Sequence, residues 1–344
     1  MRTLTLTELN RATLARQLLL ERKRISVLAA IERLAGMQAQ WPPAPYVGLW
    51  SRVAGFERET LERAVLDGQV VKPTVMRGTL HLVTARDYPM FWSALRDMPT
   101  WYGETHLAHA LKALTGARAL AEKAPLTHKE GLAYLEQVHG HADDLTRRRI
   151  FHAVRRHAHL LHAPQSALWK GRPLGVFHPY PVPEPIDVLA ARAELVRRYL
   201  AAFGPATKAD IADWSGLRVG DFAGALDALE PLRRFHDENG RELLDLPRAP
   251  LPSPATLAPV RFLPKWDNLL LAHSDRRRVI ADEHRKAVIA KNGDVGQTFL
   301  VDGVVAGTWA AEKGTVSFSP FAPLPRTARR AVEDEAARLA AFLR

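Results

Sequence analysis

A switch of hydrophobic period, from helical to alternating, recurs along this chain and constrains its fold more than any other feature. Within residues 8–35, Leu14, Leu18 and Leu19 and then Val27, Leu28, Ile31 and Leu34 repeat at helical spacing. A further short helix is expected over 60–67, with Thr60 as its N-cap. In VMRGTLHLV, residues 75–83, Met76, Leu80 and Leu82 then alternate with Arg77, Thr79 and His81, the pattern of a strand with one polar face. Helices followed by a short hairpin is the winged-helix order. Residues 127–162 repeat it: THKEGLAYLEQV and LTRRRIFHAVRRHAHLLHA read as helices, and SALWKGRPLGVF as the following hairpin. Residues 187–246 do so again, with a hairpin turning at Asn239-Gly240.

Proline-rich segments at 179–187 and 247–259 can continue neither a helix nor a strand and read as connectors. Beyond the second, TFLVDGVVAGTWA turns at Asp302-Gly303, SFSPF follows, and a helix over 325–343 closes the chain. The expected fold is mainly α with small β elements. Three tandem winged-helix (helix-turn-helix) units would occupy 1–88, 89–180 and 181–250, and a C-terminal β-rich subdomain with the closing helix would occupy 251–344.

Composition narrows the function. Hydrophobic residues make up 47% of the 344 and charged residues 25%, ordinary values for a chain that buries cores. There is no uncharged apolar run long enough to span a bilayer, and the N-terminus lacks the apolar stretch of a signal peptide. No membrane association is expected, and a cytoplasmic location is. Cysteine is absent, which excludes disulfides, thiolate catalysis and Cys-ligated metal sites. The 48 Lys and Arg against 37 Asp and Glu leave a net charge of +11, a field that attracts polyanions such as nucleic acid. Arginine dominates this balance. That suits bidentate contacts to phosphate or guanine, although a GC-rich genome produces the same bias.

On a helical wheel, LTRRRIFHAVRRHAHLL collects Ile150, Phe151, Val154, Ala158 and Leu161 on one side and Arg148, His152, Arg155, Arg156 and His159 on the other. Such a helix would dock by its apolar face and present phosphate- and base-reading groups on the other, or simply carry a solvated basic face. Arg22, Lys23 and Arg24, and Arg276, Arg277 and Arg278, are clusters of the same kind. His157, His159 and His162 do not repeat a common zinc spacing, so no metal is expected. No GxGxxG after a strand, no P-loop and no GxSxG elbow occurs, which removes the main support for nucleotide-cofactor and serine-hydrolase chemistry. Arg77 and His81, on the polar face of 75–83, are expected at a wing, within reach of DNA.

Two neutral amides, Gln38 and Gln40, stand where a helical pattern meets Trp41-Pro42-Pro43. In a regular helix residues two apart diverge, but the prolines break the helix here. Gln40 would lie near the last turn, where both amides could face one cavity; the other reading is a capping glutamine beside a solvated one.

The blocks NRATLARQLLLERK (10–23), GMQAQWPPAPYVGLWSRV (36–53), MRGTLHLVTARDY (76–88), GPATKADIADWSGL (204–217) and FLPKWDNLLLAHSDRRRVI (262–280) resemble the winged-helix DNA glycosylases of the AlkZ/YcaQ-like superfamily. They span almost the whole chain in the family's order. The resemblance implies three winged-helix units and a small β subdomain forming a basic concave surface. It implies monofunctional excision of bulky N7-alkylguanine lesions, monoadducts or interstrand crosslinks, in DNA repair and self-resistance to genotoxins. The implied partner is double-stranded DNA carrying alkylated guanine, the implied state a monomer, and no cofactor is needed. The family motif is Gln, an apolar residue, then Gln or Asp; Gln38-Ala39-Gln40 matches the Gln-x-Gln form, which makes Gln38 and Gln40 the implied catalytic residues. The alternative is a non-enzymatic winged-helix DNA-binding regulator.

Overall fold

In a computed structural model of the chain, which describes residues 1–99, 103–140, 142–171, 175–182, 184 and 186–344, helices dominate and the strands form small sheets. Part of the expected hairpin over 166–177 (residues 172–174), and Pro183 and Pro185 of the first connector, lie outside the described residues.

The first sheet orders its strands Met37–Gln38, His81–Thr84, Val70–Val71. Helices Val27–Arg33, Ala44–Trp50 and Arg58–Leu66 surround it, burying Ile31, Tyr46, Leu49, Leu61 and Leu82 in one cluster. A second sheet orders Leu126–Thr127, Val176–Pro179, Leu160–His162 against helices Gly103–Lys123, His128–His139 and Asp144–His157. In the third, Thr3–Leu4 runs parallel to Arg233–Asp237, which pairs with Glu242–Asp245 around a turn at Asn239-Gly240. Helix Val188–Phe203 buries Tyr199 and Phe203 beside Trp214 of helix Lys208–Ser215. Four antiparallel strands, Arg261–Leu263, Thr298–Val301, Val304–Glu312 and Thr315–Pro320, complete the β structure beneath the closing helix Arg326–Leu343. Asp302 and Gly303 supply its tight turn with φ of 47° and 82°.

Several local expectations are corrected. Helix Arg58–Leu66 starts before Thr60, with Glu57 at its N-cap. The segment 75–83 is not one strand: a single 3-10 turn at Met76–Gly78, with Arg77 at φ 54°, precedes the strand His81–Thr84. That strand has no polar face, because all four of its residues are buried. The basic helix stops at His157, and His159 at φ 52° turns the chain into the strand Leu160–His162. The parallel pairing of Thr3–Leu4 with a strand some 230 residues away has no local signature and was not expected.

Ion pairs buried between elements hold these parts together. Arg16 in the first helix makes two hydrogen bonds to Asp245, with side-chain exposures of 1% and 0%. Arg52 reaches Asp267 through both terminal nitrogens at 2.9 and 2.7 Å and also donates to the carbonyls of Gln17 and Gly48. Asn268 donates at 2.9 Å to the Gly36 carbonyl, so the loop after Arg261–Leu263 is fastened to the start of the strand Met37–Gln38. Removing one member of such a buried pair strands the other charge, which costs about 3–5 kcal/mol. Asp267→Ala should therefore lower the unfolding free energy from urea melts by that much, and a variant within about 1 kcal/mol of the parent would remove the pair from this role.

Candidate active site

Helix Val27–Arg33 ends at Leu34, and two left-handed residues, Ala35 at φ 56° and Gly36 at φ 86°, turn the chain back against the strand His81–Thr84. Gln38 therefore sits on a strand and not at a helix end, and Gln40 follows in a bend just beyond it: Met37 pairs with Leu82, Gln38 with His81, and the Ala39 amide donates to the Leu80 carbonyl. Residues two apart on an extended chain share a face, which is why Gln38 and Gln40 meet. Trp41-Pro42-Pro43 does not end a helix. It leads into the helix Ala44–Trp50, where missing proline donors would have had no partner in any case.

The Gln38 side-chain nitrogen donates to the Gln40 side-chain oxygen, and Arg77 donates at 2.8 Å to the Gln38 side-chain oxygen. Gln38 is 6% exposed, whereas Gln40 is open to solvent. The other terminal nitrogen of Arg77 donates at 2.8 Å to the Trp214 carbonyl. Burial lowers the Arg77 guanidinium to about 10, and neighbouring Arg276 pushes the same way. Beside Gln38, Met37, Pro264, Lys265, Trp266 and Asn268 help line a cavity with about 10 Å³ open to water centres, the room one water needs. Trp266 is held at φ 53°, an uncommon conformation for an aromatic residue, with the Lys265 ammonium 5.1 Å from its ring centre.

His81 lies behind this site, fully buried. Burial, then Arg77, push it down to about 3, so it is neutral. Its Nδ1 faces the Thr79 carbonyl at 3.1 Å and so carries the proton. The expectation that His81 stands at a wing, open to DNA, is thus corrected: it packs within the sheet. Arg77 also faces inward, onto Gln38.

The basic residues divide in the same way. Arg148 is exposed and pairs with Asp144 at 2.7 Å. Arg155 lies 4.4 Å from the Phe177 ring centre, and burial lowers it to about 10. Arg156 is 7% exposed and bonds the Leu95 carbonyl. His152, bonded to the Gly78 backbone, is pushed by burial to about 3. The wheel placed these three on an open face, but the helix is covered on that side too, by the end of helix Tyr88–Leu95 and by the strand Val176–Pro179. Arg278 is buried, donating to Pro205, and exposed Arg277 pairs with Asp275 at 2.7 Å. Arg276 is half-buried, near enough to Arg77 to lower its pKa. His157, His159 and His162 do not converge: His159 meets the Tyr88 hydroxyl and His162 meets Arg155.

Lys265, Trp266 and Asn268 escaped the sequence reading as residues of the site. Their block FLPKWDN was visible, but nothing local tells that it lies beside residue 38.

Comparison with known proteins places the chain in a family. The family model "DNA glycosylase AlkZ-like" matches residues 31–342. A curated relative, "Interstrand DNA cross-link repair glycosylase" of Streptomyces sahachiroi, is 24% identical over 363 residues, covering 94% of this chain and 93% of the relative. The solved structure of "Streptomyces sahachiroi DNA glycosylase AlkZ" superposes with a TM-score of 0.82 at 23% identity, over 99% of this chain and 97% of that one. The chain belongs to the AlkZ-like DNA glycosylase family, and its activity is that of a DNA glycosylase. A purely regulatory DNA-binding role is not favoured. No helix among the described residues is long and apolar enough to cross a membrane.

Because Arg156 is inside the fold and Arg148 outside, the two separate on substitution. Arg156→Ala should lower thermal stability and leave the salt slope of DNA binding unchanged. Arg148→Ala should leave stability unchanged and, where Arg148 meets a phosphate, reduce the slope by about one. The reverse pattern in fluorescence anisotropy and thermal melts would return Arg156 to the interface.

Proposed function

We propose that this glycosylase hydrolyses the N-glycosidic bond of bulky N7-alkylguanine, as a monoadduct or in an interstrand crosslink, and leaves an abasic site. The observation that carries the reading is the Gln38–Gln40 pair, hydrogen-bonded side to side, with Gln38 buried at the edge of a cavity the size of one water and Gln40 open to solvent. The relative's name supports crosslinks as substrates. Self-resistance to an alkylating genotoxin, and action as a monomer on double-stranded DNA, belong to the same proposal. So does the division into three winged-helix units over 1–88, 89–180 and 181–250 with the remainder as a β-rich subdomain. The sheet-and-helix groups of the fold support that division, except that Thr3–Leu4 joins the sheet of the third unit.

Neutral amides suffice because N7-alkylated guanine is already cationic and leaves without protonation. What remains is to hold a water against the sugar and stabilise the developing oxocarbenium charge, which oriented amide dipoles do. Lys265, the lysine lining the cavity beside Gln38, is engaged by Asp294 at 3.0 Å, so an amine attack with strand cleavage is not proposed. Exposed Arg148 and half-buried Arg276 are the phosphate contacts we propose from the basic residues named above.

Alanine at either Gln38 or Gln40 should slow single-turnover release of N7-alkylguanine by about ten- to a thousand-fold with DNA affinity nearly constant. A folded double alanine variant that binds damaged duplex and excises at the parent rate sinks the assignment.

The pH profile follows from the same groups. The amides do not titrate, and His81 at about 3 stays neutral. Excision should therefore be flat across the neutral range, and a bell-shaped profile would implicate an acid or base instead.

A further inference from the structure

One arginine fixes the orientation of two side-chain amides. A guanidinium can only donate hydrogen bonds, so the Gln38 atom that Arg77 contacts at 2.8 Å must be the oxygen. The Gln38 nitrogen is then the atom facing Gln40. It too can only donate, so Gln40 must answer with its oxygen. One charged residue thus sets the polarity of both amides in series. Gln38 spends its oxygen on Arg77 and one N–H on Gln40, and it is buried. Gln40, exposed, keeps both N–H groups and the second lone pair of its oxygen.

The lock is built from outside the motif. Arg77 occupies φ 54°, inside a single turn of 3-10 helix, and its second nitrogen is held by the Trp214 carbonyl near the end of helix Lys208–Ser215. Gly216, at φ 85°, lets that helix end approach the turn: a Cβ there would stand 3.1 Å from the Arg77 Cα. The position of the guanidinium is therefore decided by a helix more than 130 residues away in sequence.

We propose that Arg77 is a positioning residue that locks both amides in one orientation, and that Gln40 is therefore the residue that meets the hydrolytic water and the sugar. The inference rests on the excision reading given above. Through the lock, the positive charge of Arg77 is kept behind Gln38 and away from the developing sugar cation, while Gln40 offers its remaining oxygen lone pair to the water. Gln38 acts through Gln40.

Single-turnover excision of an N7-methylguanine duplex, with binding of the same duplex measured in parallel, tests this on the full chain. Arg77→Met should slow excision by about ten- to a hundred-fold, the loss expected for misplacing a catalytic group, with affinity changed less than two-fold. Arg77→Lys should restore part of the rate, because an ammonium still donates to the amide oxygen. In the Arg77→Met background, Gln38→Met should add little further loss, and Gln40→Ala should bring the rate down only to that of Gln40→Ala alone, since groups acting through one another are not additive. Parent-rate excision by Arg77→Met beside a slow Gln40→Ala, or additive losses for Arg77→Met and Gln38→Met, overturns the lock. Parent-rate excision by both glutamine variants is a different result, the failure of the excision reading itself. The parent protein supplies a measurement that needs no variant to fold: nitrogen-15 NMR should show one exchange-protected side-chain N–H on Gln38 and none on Gln40. Protection on Gln40 overturns the assignment.

Discussion

The bidentate pair between Arg52 and Asp267 is the interaction on which the site depends. It joins the helix that follows the glutamines to the loop that carries Lys265 and Trp266, across more than 200 residues of chain. Two buried charges are expensive to desolvate, and the cost is recovered only when both are fully hydrogen-bonded. Arg52 meets that condition by also donating to the Gln17 and Gly48 carbonyls. Because the pair tolerates little displacement, the loop it anchors is fixed relative to Gln38. Asn268 adds the fastening at Gly36.

Arginine serves two purposes here, and the net charge of +11 does not distinguish them. Arg16, Arg52, Arg156 and Arg278 are buried and tie elements together through carboxylates and carbonyls. A planar fork with five donors suits such work better than lysine does. Arg77 stands between the two groups. It is inside the fold yet donates to Gln38, one of the two residues proposed to act in excision. The charge available to DNA is correspondingly smaller than the composition suggests.

Neutral groups such as the glutamines proposed to catalyse excision would suit a substrate that carries its own positive charge. The histidines around the site are held neutral by burial, and the guanidinium nearest the glutamines is turned toward a carbonyl and an amide. An active site built this way adds little charge of its own where the sugar cation would form, and it relies on orientation to distinguish that cation from the intact nucleoside.

The sequence alone determined what local physics controls. Helical periodicity marked the main helices, Asn239-Gly240 and Asp302-Gly303 marked their hairpins, and the absence of cysteine removed whole classes of chemistry. The Gln-x-Gln motif and its neighbouring blocks singled out the residues for which a catalytic role is proposed. The reason those glutamines meet was not legible, because whether residues 37–40 end a helix or pair as a strand is decided by the distant partner His81–Thr84. For the same reason a helical wheel could not tell that Arg155 and Arg156 face Phe177 and Leu95: a wheel knows its own faces but not what covers them. Only the tertiary structure brought Trp214, Arg77, Gln38 and Trp266 to one place, since contacts between residues far apart in sequence leave no local pattern.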